Sequence, residues 1–578
     1  MFILNFNKLS YEQNRLLNDI AIKSRYSFNR IIEEISKDKL KSINWIVSAV
    51  SSRNKYISDL FLRCCYLDLI DYYINENIKI DRIISNDRQI CFLLNKHFKK
   101  INYYIDIECT ETILPRLWRI MRPFRQYILA IMLLLLRYLG RKKVRLKDIN
   151  DITILDTFVL NSTPGDGGTI HNNKYNDRYY TNIFNYVSSE EKEYFFYYPT
   201  IVGFKNPIRI FKKIRSCNDN FIIPDDFLKL SDYLKILTHP FRIMNVKVKD
   251  ILYSGFEISS LIKEEKFRTC SDHISIFGLL NYYFSYRLRK KGVKVRLLID
   301  WYENQVLDRG MIAGFKKFHK ETPIIGYQGY IISPVLHSYI YPNNTELESN
   351  CVPDEIAVIG DELVSNMFTF CKNLKVVTAP AFRNQNVWEK RKYYPSKDNF
   401  QILLALPITL DESKKIIEKI LLIKKEIEIS LKRLKFTIKP HPTNSEKDIK
   451  KLFNDNQLDE FQFEFGNFNN VLEFSNLLIT NASTVAMEAL TKGIPVIVIG
   501  DNNGITQNPI PKTIKNLIWK IVYSKKQLSK AISSFFFNEE VNKEEYFKIA
   551  DEVKKSFFRP VNTINTRRML KLDNITPD

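Results

Sequence analysis

A chain of 578 residues with 45% hydrophobic and 26% charged content can bury several cores, roughly three or four by length, so it is not a disordered protein. Its formal charge of +22 attracts something acidic: nucleic acid, anionic lipid or a phosphorylated substrate. No zinc-finger, helix-turn-helix or RNA-recognition pattern accompanies the charge, so nucleic acid is not an expected partner.

Residues 1–112 read as an N-terminal α/β region. Strands are expected at 43–50, 78–85 and 101–107, and aromatic-rich helical spacing marks 56–73. The opening MFILNFNKLS lacks the basic start and long apolar core of a signal peptide. Residues 113–150 hold a basic, apolar helix. Its run at 127–136 has ten apolar residues, preceded by Arg116, Arg119, Arg122 and Arg125 and followed by Arg141, Lys142, Lys143, Arg145 and Lys147. A spanning helix needs about 20 apolar residues, so this one is expected on an anionic membrane surface, with burial between domains as the alternative.

Residues 151–385 read as a Rossmann-like acceptor-side domain, with strands at 153–160, 194–202, 293–299, 324–331, 352–361 and 376–380. The loop at 162–168, STPGDGG, matches no phosphate-binding motif and reads as an exposed turn. The stretch DWYENQVLD at 300–308 follows one strand directly and opens a helix. A carboxylate at the carboxyl end of a strand suits a general base; Glu303 is the first choice and Asp308 the second. Gln305, Gln328 and Tyr330 are placed to line an acceptor cleft. The His-Pro at 239–240 precedes no clear phosphate-binding helix and reads as structural.

Residues 386–578 form the expected nucleotide-donor-binding domain: a strand at 400–406, a helix at 412–434, and two anchors. The first, FTIKPHP, is a strand that delivers Lys439 and His441 to its carboxyl end, where ligands bind in open α/β sheets. The second, LLITNASTVAMEALTKGIPVIVIG, reads as a βαβ unit: strands at 477–480 and 495–499, a helix at 485–492, and Gly493 as its left-handed cap. Asn481, Ser483 and Thr484 stand where side-chain oxygens cap a helix start that favours phosphate, and Glu488 lies one turn further on. The loop GITQNPIP at 504–511 can close over a donor.

Together the two anchors resemble the C-terminal domain of GT-B glycosyltransferases of bacterial surface-carbohydrate (capsule and lipopolysaccharide) type. The likeness covers about 395–520 and, more weakly, 250–385. That pattern is shared by transferases of CMP-activated ulosonic acids, of Kdo or sialic-acid type, and by CDP-glycerol glycerophosphotransferases. The resemblance implies two Rossmann-like domains facing a cleft and a donor phosphate held by Lys439, His441, Ser483 and Thr484. It implies a ribose contact by Glu488, a catalytic set of Glu303, Asp308 and His441, and no metal. The expected partners are a CMP- or CDP-linked sugar as substrate, a lipid-linked or oligosaccharide acceptor, and the inner face of the cytoplasmic membrane. No further cofactor is expected, since eight cysteines without CxxC spacing or His pairing fit a reducing cytoplasm rather than a metal site. A CDP-polyol phosphotransferase and a non-catalytic scaffold of polysaccharide assembly are the alternatives.

Overall fold

Unbroken apolar runs bounded by turns form strands covered on both faces, the setting of parallel sheets flanked by helices. The computed structural model describes residues 2–142, 151–160, 167–202, 206–391, 393, 399–431, 434–441, 444–466, 468–481, 484–501 and 504–572. The N-terminal region holds β1 (Ile3–Asn5), β2 (Arg82–Ser85) and β3 (Asp106–Cys109), a parallel sheet in that order. Around it lie α1 (Tyr11–Ser36), α2 (Leu60–Asn75) and α3 (Arg88–Lys100). The strand expected at 43–50 is instead two helical turns, Ile43–Ile46 and Ala49–Ser52. Ser42 and Ser48 accept the N–H groups of Trp45 and Ser51, so each serine caps a turn and outweighs the β-branched content. Then comes α4 (Ile113–Gly140), a single helix of 28 residues.

The middle sheet comprises β4 (Ile152–Leu160), β5 (Phe195–Val202), β6 (Val295–Trp301), β7 (Ile324–Gln328), β8 (Glu355–Val358) and β9 (Val376–Thr378). It is parallel throughout, in the order β5-β4-β6-β7-β8-β9. Between β5 and β6 run α5 (Pro207–Arg215), α6 (Leu230–Leu237), α7 (His239–Met244), α8 (Ser259–Thr269) and α9 (His273–Lys290); α10 (Val306–Phe318) joins β6 to β7.

The C-terminal sheet is built from β10 (Phe400–Ala405), β11 (Leu434–Lys439), β12 (Gln462–Phe463), β13 (Leu477–Thr480), β14 (Val496–Ile499) and β15 (Trp519–Val522). Its order β12-β11-β10-β13-β14-β15 is that of the doubly wound dinucleotide-binding fold. Helices α11 (Leu410–Ser430) and α12 (Val485–Thr491) follow β10 and β13. The expected βαβ unit is present, and Gly493 closes α12 with φ 69°. Two Rossmann-like domains thus face a cleft, the GT-B arrangement.

Two segments cross the boundaries expected from sequence. The helix α13 (Lys525–Phe557) leaves the C-terminal sheet and brings the chain back to the middle one. There Arg559 N–H donates to the Ile359 carbonyl at 2.6 Å, and Arg296 donates to the Leu570 and Lys571 carbonyls at 3.0 Å. Ile243, Tyr253, Phe256 and Leu261 pack into the N-terminal core beside Leu4, Ile70 and Ile83. The N-terminal region is therefore continuous with part of the insertion between β5 and β6. A buried charge hub also ties it to the middle domain: Glu346 accepts from Arg53 at 2.9 Å, from Arg309, and from Asn304 at 3.0 Å.

Candidate active site

In each large sheet the strand order reverses once, at β10/β13 and at β4/β6, and the crevice outside the carboxyl ends there is where ligands bind. A cavity of about 780 Å³ lies at the first of these points. Residues 405–408, at and just past the end of β10, and Thr484 and Val485, at the start of α12, form its floor. Asn176, Arg178 and Ile331 to Ser333 line it from the middle domain, and Tyr56 from the N-terminal region.

The structure brings Lys439, His441, Thr484 and Glu488 together on this cavity. Lys439 ends β11 and is 6% exposed, while His441 follows on the prolyl turn, half-buried. Ser483 lies outside the described residues. Thr484 has helical dihedrals (φ −55°, ψ −19°) and makes no side-chain capping bond, so the capping role expected of it is not used. Burial raises the Glu488 pKa, and the positive charges of Arg383 and Arg178 oppose that rise.

On the acceptor side β6 runs two residues further than expected. Asp300 is therefore inside the sheet, 1% exposed, and α10 opens at Val306 rather than at Asp300. Gln305 stands at the N-cap position of that helix, and Asp308, its third residue, accepts the N–H groups of Glu303 and Gln305, each at 2.9 Å. Both oxygens of Glu303 are held by neighbours: Trp301 Nε1 donates to one at 3.1 Å and Gln305 Nε2 to the other. Burial raises the Glu303 pKa, and those two hydrogen bonds and Arg383 act against it. Burial, reinforced by the charge of Glu303, pushes Asp308 up to about 7.

Glu303 does not line the main cavity; the segment past β7 contributes Ile331, Ile332 and Ser333 to its wall. Tyr330 stacks on Trp301 with ring centres 5.6 Å apart and borders a small adjoining cavity with Arg383 and Thr484. Gln328, expected in the cleft, is only 3% exposed, because it ends β7 inside the sheet. His239 is 1% exposed with Nδ1 2.9 Å from Asn44 Oδ1, the structural role expected of it.

Several lining groups carried no motif. Arg178 follows a small hairpin (Thr169–His171 with Lys174–Asn176), and Arg383 stands on the crossover between the two sheets. Gly167 of the glycine-containing loop also reaches the wall, where a turn facing solvent was expected; residues 162–166 lie outside the described residues. Gln507 and Pro509 bring the 504–511 loop to the cavity. Tyr56 Oη accepts from Gln507 Nε2 at 2.8 Å and lies 2.9 Å from His337 Nε2. Burial, with Lys55 nearby, takes the His337 pKa down to about 3, so its ring is neutral.

Residues 440–514, which contain His441, Thr484, Glu488 and Gln507, match the family model described as "Putative glycosyltransferase (DUF6716)". Among curated proteins no relative matches. Solved structures that resemble the chain include a putative UDP-N-acetylglucosamine 2-epimerase from Listeria monocytogenes (12% identity, 74% of this chain and 98% of that one, TM-score 0.41). A co-structure of S. aureus MnaA with UDP is similar at 10% identity, 72% and 95% coverage and TM-score 0.41. An α,α-trehalose 6-phosphate synthase from Burkholderia multivorans follows at 9% identity, 73% and 96% coverage and TM-score 0.40. At these TM-scores the fold is carried by the two sheet orders and not by the likeness.

Proposed function

We propose that the protein is a glycosyltransferase that moves a sugar from a cytidine-nucleotide donor onto a lipid-linked or oligosaccharide acceptor in bacterial surface-polysaccharide synthesis. The observation that carries the transfer reading is one cavity at the β10/β13 reversal with Lys439, His441, Arg178 and Arg383 on its walls. Four cationic or imidazole side chains around one cavity suit a phosphate that gains charge as the sugar leaves. The donor occupies the C-terminal half, with Lys439, His441 and the Ser483 and Thr484 pair on its phosphate and Glu488 on ribose hydroxyls. The acceptor enters from the middle domain, where Glu303 takes the proton of its hydroxyl. Phe465 and Phe468, also on the wall, offer aromatic faces to the base. The cytidine preference and the surface-carbohydrate role follow from the likeness of the FTIKPHP and NASTVAMEAL stretches to CMP-ulosonate transferases.

Calorimetric titration with CMP, CDP, UDP and GDP tests the donor assignment. Tighter binding of the two cytidine nucleotides is expected. A clear preference for UDP or GDP overturns the cytidine assignment and leaves the cavity in place. Absence of binding by all four, in a protein that unfolds cooperatively, overturns the enzymatic reading in favour of a scaffold. Release of a polyol phosphate rather than a sugar from a CDP-linked donor identifies the phosphotransferase.

A further inference from the structure

No helix among the described residues is long and apolar enough to cross a membrane. Yet α4 turns its apolar side outward. Leu117, Met121, Phe124, Ile128, Leu135 and Leu139 recur at spacings of three, four or seven, so they share one face of the helix, and each leaves more than half of its surface in solvent. The opposite face is the packed one, where Ala130 and Leu134 are 2% exposed and Arg137 pairs with buried Asp225 at 2.6 Å. From Leu117 to Leu139 this outward apolar stripe runs about 33 Å at 1.5 Å per residue, and a contiguous exposed apolar face of that kind marks an interaction site.

Charge indicates the partner. From Ile113 to Lys142 the sequence contains six arginines, one lysine and no Asp or Glu. Arg119 and Arg122 pair with Glu111 and Asp272, but Arg116 and Arg125 are exposed, and Arg125 covers the Trp118 ring at 5.3 Å. The neighbouring α6 and α7 extend the surface: Leu234 and Phe241 are exposed, and so are Lys235 and Arg242. Phe241 meets Tyr127 of α4 edge to face, with centres 6.0 Å apart.

We propose that α4, flanked by α6 and α7, is the surface that docks this protein on an anionic lipid bilayer. The helix lies in the headgroup plane, its outward leucines, isoleucine and Phe124 in the acyl boundary and its exposed Arg116 and Arg125 on lipid phosphates. A second copy of the chain is the poorer occupant, because a pair of these faces brings arginine against arginine with no acid on α4 to compensate. The proposal is independent of the reaction in the cleft.

Flotation with vesicles of phosphatidylglycerol and phosphatidylethanolamine, against phosphatidylcholine alone, tests it. The wild-type chain floats with the anionic vesicles, and its bound fraction falls as salt rises to about 0.5 M. The variant Ile128→Ser/Leu135→Ser/Leu139→Ser lowers the bound fraction at least tenfold with an unchanged melting transition. Should that variant unfold, Arg116→Gln/Arg125→Gln takes its place, with the same direction of loss. Lipids brominated in the upper acyl chain quench the emission of Trp118, a signal that Trp118→Phe removes. Failure of the wild-type chain to float, or flotation of both multiple variants to the same extent as the wild type, overturns the proposal. So does a concentration-dependent dimer that the serine variant abolishes in a chain that binds no vesicles, since that result makes the face an interface between copies.

Discussion

Tyr56 and Gln507, 451 positions apart, share a hydrogen bond of 2.8 Å across the mouth of the cavity. Through it the N-terminal region touches the donor-side loop, and α1 does the same one layer away, where Asn18 Oδ1 accepts the Thr506 N–H at 2.7 Å. Tyr56→Phe keeps the ring and removes the hydroxyl that meets both Gln507 and His337. Because Tyr56 is 55% exposed, stability should change by no more than about 1 kcal/mol. The Michaelis constant for donor or acceptor should rise several-fold, since a loop over the site loses its tie. Parallel melting curves and steady-state kinetics separate the two effects; a large loss of stability with unaltered constants assigns the bond to folding alone.

His441 is the group to test on the donor side. It reaches the cavity through the prolyl turn after β11 and stands with Lys439 at the strand end. His441→Ala should weaken nucleotide binding or turnover at least tenfold, about 1.4 kcal/mol, while leaving the fold intact. Titration of the variant with CMP and CDP reads this directly, and wild-type affinity together with wild-type turnover removes His441 from the site.

Glu303 and Asp308 are distinguished by their hydrogen bonds. Asp308 accepts two backbone N–H groups at the start of α10, whereas Glu303 accepts from the side chains of Trp301 and Gln305. Glu303→Gln should lower kcat by about 10²- to 10⁴-fold, as loss of a general base does, with donor affinity nearly unchanged. Asp308→Asn should act mainly on stability. A base works ionised, and burial raises the Glu303 pKa, so kcat/KM should climb with pH along a limb above the ordinary carboxylate value of 4.5. A pH profile flat down to 4.5, or full activity in Glu303→Gln, places the base elsewhere.

The strands were legible because parallel sheets bury both faces and so read as unbroken apolar runs; 477–480 and 400–406 are examples. The segment 43–50 was not, since a mostly apolar stretch of eight residues fits a strand or two capped turns equally until Ser42 and Ser48 are seen to accept N–H groups. Lys439 and His441 were found because one strand end delivers both. Arg178, Arg383 and Tyr56 were missed, because three distant segments bring them together and no local spacing records that. In α4 the apolar run was plain, but helical periodicity does not say which face meets solvent. Leu134 turned out to be packed and Leu135 exposed.

The buried hub around Glu346 yields the last prediction. Its carboxylate takes hydrogen bonds from Arg53, Arg309 and Asn304, and the Asn343 N–H adds a fourth donor at 3.1 Å. Burial works against ionisation, but Arg309 and Arg53 outweigh it, and the Glu346 pKa lies below its usual 4.5. A carboxyl that binds its proton less readily folded than unfolded stabilises the protein fully above the unfolded value. That contribution is lost as pH falls through the lowered one. Glu346→Ala leaves Arg53 and Arg309 facing each other without their shared carboxylate in a buried site, which costs about 3–5 kcal/mol. Urea unfolding at pH 7 should show that loss, and the gap between variant and wild type should shrink as pH drops below about 4. Because the hub joins the N-terminal region to the middle domain, the variant should open the first 110 or so residues, together with the part of the insertion that shares their core, to limited proteolysis before the two Rossmann-like domains unfold. A variant whose stability and cleavage pattern match the wild type shows instead that the two arginines have found other partners and that the hub does not hold the regions together.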